Sequence, residues 1–270
     1  MRGMKFAEKL RKSWEKSDSL VCVGLDVNTA LLPSSLTGEN GVLAFNEAII
    51  QSTADLVCAY KMNTAFYEAM GPRGLEILQK TLSLIPSNIV KIIDAKRGDT
   101  ENTGRAYAKA LFDVLGGDAV TLHPYMGRDS LSPFLEREEK GAFVLCRTSN
   151  TGARDFQDLG GHEPLYITVA KKVKEWNVHE NCGLVVGATY PKELGHVRET
   201  VGGDMPLLVP GIGAQGGSIE EVIKNGLNEE GTGLIINSSR GIIFASRGKD
   251  FASAARKKTL ELKEAINTLR

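Results

Sequence analysis

The sequence has no net charge, no long apolar run and no cluster of metal-ligand residues. Its 33 basic residues are balanced by 33 acidic ones, which leaves no basic surface of the kind that binds nucleic acid. The apolar runs are short and interrupted, and none has the length of a membrane span. Residues 1–18 are charged throughout and lack the apolar run of a signal peptide. We therefore expect a cytoplasmic protein with no nucleic-acid or membrane partner.

Cysteine and histidine are both scarce, with four of each in 270 residues. All four cysteines lie in or beside apolar, strand-like runs, at Cys22, Cys58, Cys146 and Cys182. Their spacing is not that of a metal site, and the histidines do not cluster. Isolated cysteines in apolar runs are typical of buried thiols in a reducing compartment. The sequence thus predicts four free thiols and no disulfide framework.

Apolar, strand-like runs alternate with amphipathic, helix-like stretches along the whole chain. There are eight such runs, at 21–25, 57–61, 90–94, 119–122, 142–146, 184–187, 207–209 and 234–237. The helix-like stretches include 44–56, 73–84, 103–115, 163–176, 218–225 and 251–268, and residues 4–17 predict one more helix before the first strand. Eight alternating units predict an α/β fold, a (β/α)8 TIM barrel forming one domain over 1–270, with an extra N-terminal helix closing its bottom.

Chemistry in this fold lies at the carboxyl ends of the strands. Polar residues or glycines end or follow most of the predicted strands, and they would all face one mouth of the barrel: Asp26, Lys61, Asp94, Lys96, Ser149, Gly211 and 237–241. The longest irregular stretch, 147–161, also begins at this mouth. Loops of that length in a compact domain are often functional.

The segment Asp94-Ala95-Lys96-Arg97-Gly98-Asp99 is the most informative feature at this mouth. Residues two apart on a strand point to the same side, so Asp94 and Lys96 should project together, with Asp99 in the loop beyond. Charges packed this closely are costly to bury. The segment is either a solvated strand end or a site where a charged lysine does chemistry. Likewise, Lys61 either extends to solvent or completes an alternating series of Lys61, Asp94, Lys96 and Asp99.

A glycine-rich loop follows the seventh predicted strand. Four glycines lie between Gly211 and Gly217, and a helix is predicted to begin at the next residue. Such a loop is either a tight turn or an anion site, because glycine lets N–H groups approach an anion and a helix N-terminus favours negative charge. Loops seven and eight form the usual phosphate site of these barrels, and an arginine follows the eighth strand. We predict phosphate contacts from Gly211, Gly213, Gln215 and Arg240.

These residues resemble the orotidine 5′-phosphate decarboxylase family over 26–240. The longer form of that family typically reads D-x-K-R-G-D, as residues 94–99 do, and 209–217 and 237–240 resemble its phosphate-binding segments. The resemblance implies decarboxylation of orotidine 5′-phosphate to uridine 5′-phosphate in pyrimidine synthesis, without a metal or an organic cofactor. It also implies that the loop carrying Gln215 closes over the phosphate.

The resemblance also implies a role for each candidate residue. The charged tetrad would be Lys61, Asp94, Lys96 and Asp99, with Lys96 as the proton donor to C6 of the pyrimidine. Asp26, which on spacing alone is a strand-end cap or a sugar-hydroxyl ligand, would bind the ribose. The pyrimidine contact would be Ser149, with Asn150 as a competing candidate in the same long loop. Asp99 and Thr103 would reach the neighbouring subunit's site, which makes the active unit a homodimer.

Two alternatives stay open. A metal-dependent sugar-phosphate decarboxylase or aldolase on the same barrel shares the D-x-K-x-x-D pattern but has an acidic residue where Lys61 stands. The ammonium of Lys61 argues against it, since it would repel a divalent ion. A non-catalytic nucleotide-binding protein would keep the phosphate loop and bind uridine monophosphate without turnover. The intact tetrad argues against that second alternative.

Overall fold

Eight parallel strands close into a barrel in the computed structural model, which describes residues 3–36, 38–212 and 216–270. Each strand pairs with the next along the chain, and the last pairs with the first. In order they are β1 (Val21–Gly24), β2 (Ala59–Asn63), β3 (Val90–Arg97), β4 (Ala119–Leu122), β5 (Gly141–Arg147), β6 (Cys182–Val186), β7 (Leu207–Pro210) and β8 (Leu234–Ser238). The predicted (β/α)8 barrel is confirmed.

Helices surround the barrel in the order α1 (Phe6–Ser17), α2 (Gly38–Thr53), α3 (Thr64–Glu68), α4 (Pro72–Leu84), α5 (Glu101–Ala108), α6 (Arg128–Leu135), α7 (Leu165–Trp176), α8 (Pro191–Val201), α9 (Ile219–Gly226), α10 (Arg240–Ile243) and α11 (Phe251–Leu269). A π-helical turn at Lys109–Val114 continues α5. The sequence pattern did not predict α3, α6, α8 or α10. The first and last are single turns, α6 contains Pro133, and α8 contains Gly195, so none has a strong helical signal of its own.

Helix α1 closes the bottom of the barrel, as predicted. Phe6 and Leu10 are buried among the strand residues that fill the barrel interior. The Phe6 ring meets Phe143 of β5 edge to face, with ring centroids 6.0 Å apart. Ser13 donates a hydrogen bond of 2.6 Å to the carbonyl of Cys58, just before β2. The helix is thus held to the barrel by both apolar packing and a buried hydrogen bond.

The barrel interior is apolar from its bottom to the level of the mouth. Its filling side chains come from every strand: Cys22, Ala59, Val90, Ile92, Ala119, Phe143, Val185, Leu208 and Ile235. All four cysteines are free and buried, which confirms that part of the prediction. Among the described residues, no helix is both long enough and apolar enough to cross a membrane.

Candidate active site

Lys61 lies near the end of β2 and points into the barrel. Its ammonium donates a 2.9 Å hydrogen bond to Asp94 Oδ2 and lies 3.7 Å from Asp26 Oδ2. Lys61 is 4% exposed, so it does not extend to solvent, and the alternative reading of this lysine is wrong. Burial lowers the pKa of Lys61, but the charges of Asp26 and Asp94 outweigh burial and raise the pKa above its ordinary value.

Asp94 contacts both lysines of the site and one threonine. Its Oδ2 accepts from Lys61, and its Oδ1 accepts from Lys96 Nζ at 2.6 Å and from Thr121 Oγ1 at 2.8 Å. Burial raises the pKa of Asp94, but Lys61 and Lys96 outweigh it and hold the pKa well below its ordinary range. Asp94 is therefore a buried, ionised carboxylate between two ammonium groups.

Lys96 meets Asp94 through an irregularity in β3. The pairing of β3 with β4 steps from Ile93 opposite Val120 to Arg97 opposite Leu122. Three residues of β3 therefore face one residue of β4, and Lys96 has φ 49°, in the left-handed region. Such a conformation costs about 1–3 kcal/mol and is common at functional sites. The contact of Lys96 with Asp94 was predicted correctly, but regular strand alternation is the wrong reason for it.

Asp26 joins this cluster from the loop after β1. Its Oδ1 accepts the backbone N–H of Asn63 at 3.0 Å, and its Oδ2 faces Lys61. Asp26 therefore acts as a cap on the end of β2 and as a second counter-charge for Lys61. Asn63, which the sequence analysis missed, also caps α3 by accepting the N–H of Ala65. Its Asn-Thr sequence at a strand end was the available signal.

Asp99 lies apart from the other three members of the predicted tetrad. Its carboxylate accepts the N–H of Thr100 at 2.7 Å rather than the ammonium of Lys96. Thr103 lies on the first turn of α5 with its side chain exposed. Within one chain, the structure thus brings together Lys61, Asp94 and Lys96 but not Asp99.

Exposed apolar side chains lie on the loops and helices that follow β2, β3 and β4. We call these residues the mouth patch, which consists of Phe66, Tyr107, Tyr125 and Met126, with exposed fractions of 37%, 36%, 88% and 44%. Arg97 bridges part of it, since its guanidinium donates to Glu68 at 2.6 Å and lies 5.2 Å from the ring centre of Tyr107.

The long loop after β5 is clamped at its base. Arg147 is 1% exposed, and its guanidinium lies 4.0 Å from the ring centre of Tyr190 and 3.1 Å from Asp158 Oδ1. Gln157 accepts from Arg147 at 3.3 Å and from the N–H of Thr148 at 2.9 Å. Its amide also donates to Thr148 Oγ1 at 2.8 Å. Residues ten apart in sequence thus hold the start of this loop, a contact that no local pattern predicted.

Ser149 and Asn150 follow this clamp at the mouth. A Cβ on Gly187, just after β6, would lie 2.9 Å from the backbone N of Ser149, so the close approach requires glycine there. Ser149 is half-buried, whereas Asn150 is exposed and accepts from Thr148 Oγ1 at 2.7 Å. Both candidates for the pyrimidine contact therefore lie beside the barrel mouth.

Two of the predicted phosphate residues, Gly211 and Arg240, follow β7 and β8, which pair through Pro210 and Asn237. Gly211 has φ 103° and Gly216 has φ 82°, conformations that favour glycine. Arg240 is exposed at the first residue of α10. The predicted contacts at Gly213 and Gln215 lie outside the described residues.

The arrangement suits a reaction that develops negative charge. Lys96 has a side chain that is 47% exposed above a buried carboxylate, so its ammonium can face both a substrate and solvent. Among the described residues, Gly211, Gly216 and Arg240 follow β7 and β8, at the strand ends where this fold commonly binds phosphate. The ammonium of Lys61 lies between Asp26 and Asp94, where it would repel a divalent cation.

Sequence comparisons place this chain among decarboxylases. Residues 19–257 match the model of the orotidine 5′-phosphate decarboxylase / HUMPS family. The chain is 49% identical to an orotidine 5′-phosphate decarboxylase of Dehalococcoides mccartyi, over 99% of both chains. It is 51% identical to one of Herpetosiphon aurantiacus, over 97% of this chain and 99% of the other.

Solved structures agree with the sequence comparisons. The fold matches a Leishmania donovani UMP synthase with a TM-score of 0.90 at 39% identity, over 99% of this chain and 57% of that protein's length. It matches the OMP decarboxylase of the same organism with a TM-score of 0.87 at 38% identity, over 98% of both chains. The chain therefore belongs to the orotidine 5′-phosphate decarboxylase / HUMPS family.

Proposed function

We propose that this protein decarboxylates orotidine 5′-phosphate to uridine 5′-phosphate in pyrimidine synthesis. The observation that carries the proposal is the series Lys61–Asp94–Lys96 at the mouth of the barrel, in which Lys61 and Asp94 are buried and the two contacts are 2.9 and 2.6 Å. Two relatives that align with this chain over nearly their full length, both orotidine 5′-phosphate decarboxylases, support the same reaction. The reaction consumes one proton and releases carbon dioxide, and the site holds an ammonium that can supply that proton.

Lys96 is the proposed proton donor. When the bond between C6 and the carboxyl carbon breaks, the electron pair stays on C6 and carbon dioxide leaves. The ammonium of Lys96 stabilises that developing charge and then transfers a proton to C6. Asp94 holds Lys96 in place from below, and the exposed half of the Lys96 side chain allows its amine to regain a proton from solvent.

Substrate binding is assigned to the loops around this charge series. Gly211, Gly213, Gln215 and Arg240 are the proposed phosphate ligands, and Asp26 the ribose ligand. Ser149 or Asn150 contacts the pyrimidine. Phosphate binding remote from C6 supplies energy to close the phosphate loop and to exclude water from the reacting atoms.

A direct assay tests this reaction. Purified protein is mixed with orotidine 5′-phosphate in the presence of EDTA, and the loss of substrate absorbance is followed. Rapid conversion to uridine 5′-phosphate supports the metal-free decarboxylase. No conversion, with tight binding of uridine monophosphate, would favour a nucleotide-binding protein. No conversion and no binding would direct the next assay to sugar phosphates with magnesium.

The active unit is proposed to be a homodimer in which Asp99 and Thr103 reach the partner's site. The mouth patch supports this, because it exposes three aromatic rings and a methionine beside the segment that carries Asp99. Asp99 also makes no bond to Lys96 within its own chain, where its carboxylate instead accepts from Thr100. The cytoplasm is the proposed location, since a reducing compartment keeps four thiols unpaired.

Subunit mixing tests the shared site. Lys96→Ala and Asp99→Ala are each expected to be inactive alone. If Asp99 serves the partner's site, a mixed dimer of the two variants regains one intact site, and an equal mixture recovers about a quarter of wild-type activity. No recovery on mixing, with exchange of subunits shown by mass spectrometry, would rule out a shared site.

A further inference from the structure

Thr121 is the polar residue of β4 that contacts the charged series. It is 1% exposed, its Oγ1 donates to Asp94 Oδ1 at 2.8 Å, and the same oxygen accepts the backbone N–H of Lys96 at 3.0 Å. We propose that Thr121 is a positioning residue for the decarboxylation, whose single hydroxyl holds Asp94 and Lys96 in their reactive arrangement. The proposal rests on the proposed function.

The irregular pairing of β3 with β4 explains why a hydroxyl is needed here. Thr121 is the one β4 residue opposite the three-residue stretch of β3 that carries Asp94 and Lys96. A regular ladder would satisfy the N–H of Lys96 with a carbonyl of β4. Here the hydroxyl of Thr121 accepts that N–H instead, and this bond stabilises Lys96 in its left-handed conformation at φ 49°. A strained conformation persists only when its surroundings determine it.

The hydroxyl also determines which way Asp94 faces. One oxygen of Asp94 faces Lys61, and the other receives both Lys96 and Thr121. The hydroxyl is a neutral donor, so it orients the carboxylate without changing the charge balance of the series. Valine has the shape of threonine but can neither donate to Asp94 nor accept from Lys96. The replacement would therefore free both groups while it preserves the packing.

Three variants separate positioning from stability. Thr121→Val removes the hydroxyl, and Thr121→Ser keeps it. Thr81→Val is the matched control, because Thr81 is fully buried and its hydroxyl accepts a 3.0 Å hydrogen bond from Asn46, which the replacement also removes. For each variant, kcat and KM for orotidine 5′-phosphate, the affinity for uridine monophosphate and the thermal midpoint are measured.

Thr121→Val is expected to lower kcat by about 10- to 100-fold while KM and nucleotide affinity change by less than about threefold. The kcat of Thr121→Ser should stay within about threefold of the wild-type value. Thr81→Val should lower the thermal midpoint but leave kcat unchanged. A loss of kcat in Thr121→Val but not in Thr81→Val would show that the Thr121 hydroxyl serves the reaction and not folding alone.

Two results would overturn the proposal. One is a Thr121→Val enzyme that keeps more than about half of the wild-type kcat. The other is a Thr121→Ser enzyme whose kcat is as low as that of the valine variant. Should the valine variant not fold, Thr121→Ala is measured against the same criteria. A wild-type enzyme that does not convert orotidine 5′-phosphate would instead refute the proposed function, which keeps the two failures distinct.

Discussion

The two ends of the barrel are built from the same strands but satisfy different demands. At the bottom, α1 covers the interior, and Phe6 and Leu10 pack directly on strand side chains. At the mouth, the interior is covered instead by three charged residues, Asp26, Lys61 and Asp94. A buried apolar plug stabilises the fold, whereas a buried charge series is weak evidence for stability. The difference favours a chemical rather than a stabilising role for the charges at the mouth.

Each end also has a lysine paired with a carboxylate, which makes the comparison direct. At the bottom, Lys9 donates to Asp118 at 2.5 Å, and at the mouth Lys96 donates to Asp94 at 2.6 Å. The Asp118 carboxylate also accepts the N–H of Lys91, so it ties α1 to the start of β3. Equal substitutions at the two ends therefore test whether an ion pair serves structure or reaction.

The largest difference is expected for the two lysines. Lys96→Ala should lower turnover by at least about 10⁴-fold, because it removes both the proposed proton donor and the positive charge that would stabilise the anion at C6. Affinity for uridine monophosphate should stay measurable by titration calorimetry. Lys9→Ala, the matched control, should leave kcat unchanged and lower stability by at most about 1 kcal/mol. Turnover retained in Lys96→Ala would refute the role assigned to that lysine.

The second difference concerns the two carboxylates. Asp94→Asn should abolish turnover and lower the free energy of unfolding by about 3 kcal/mol at pH 7, since it leaves Lys61 buried with a weaker counter-charge. Asp118→Asn should keep wild-type turnover. Urea unfolding and steady-state kinetics measure both variants. Loss of turnover in Asp118→Asn would contradict the view that the ion pair at the bottom serves structure and the one at the mouth serves the reaction.

The stability difference between the wild type and Asp94→Asn should depend on pH. The pKa of Asp94 is lowered in the folded state, so its ionised form adds stability above the unfolded pKa of about 3.9, and this is lost as pH falls further. The raised pKa of Lys61 keeps its contribution present below about pH 10. Urea titrations should give a constant difference from pH 5 to 8 and a smaller one below about pH 4. A difference that grows below pH 4 would contradict these pKa directions.

At the bottom, Phe6→Ala should lower the free energy of unfolding by about 3–4 kcal/mol, because it leaves a cavity against Phe143. Turnover of the folded fraction should equal that of the wild type at 20 °C. Phe6→Leu is the control and should cost less, since it fills part of the cavity. A fall in kcat with unchanged stability would mean that α1 influences the mouth.

The smallest effect is expected for the thiols, which should not react in the folded state at either end. All four are buried, and burial raises the pKa of Cys58 to about 12. Ellman's reagent should modify none of them rapidly in the native protein and all four in guanidinium. Rapid reaction of Cys22, which lies beneath the charge series, would show that reagent enters through the mouth.

Local sequence patterns were sufficient for part of this site. Strand ends predicted where Lys61 and Asp26 lie. The predicted contact of Asp94 with Lys96 is present, but an irregularity of β3 rather than regular strand spacing produces it. The contact of Asp26 with Lys61, the two bonds of Thr121 and the clamp between Arg147 and Gln157 were not predicted, because each depends on strand register or on a loop that returns to its own start. The role proposed for Asp99 requires a second chain, so contacts within one chain do not test it.

Residue types and their periodicity determined the eight alternating units, the apolar interior and the charged mouth, because burial of apolar side chains follows the local period of each element. Closure of the barrel decided which side chains meet. It brings Ser239 within 2.9 Å of the carbonyl of Gly24, 215 residues earlier in the chain. It also places Thr121 opposite the irregular stretch of β3. Such contacts depend on strand register and hydrogen-bond geometry between distant segments, which no local pattern encodes.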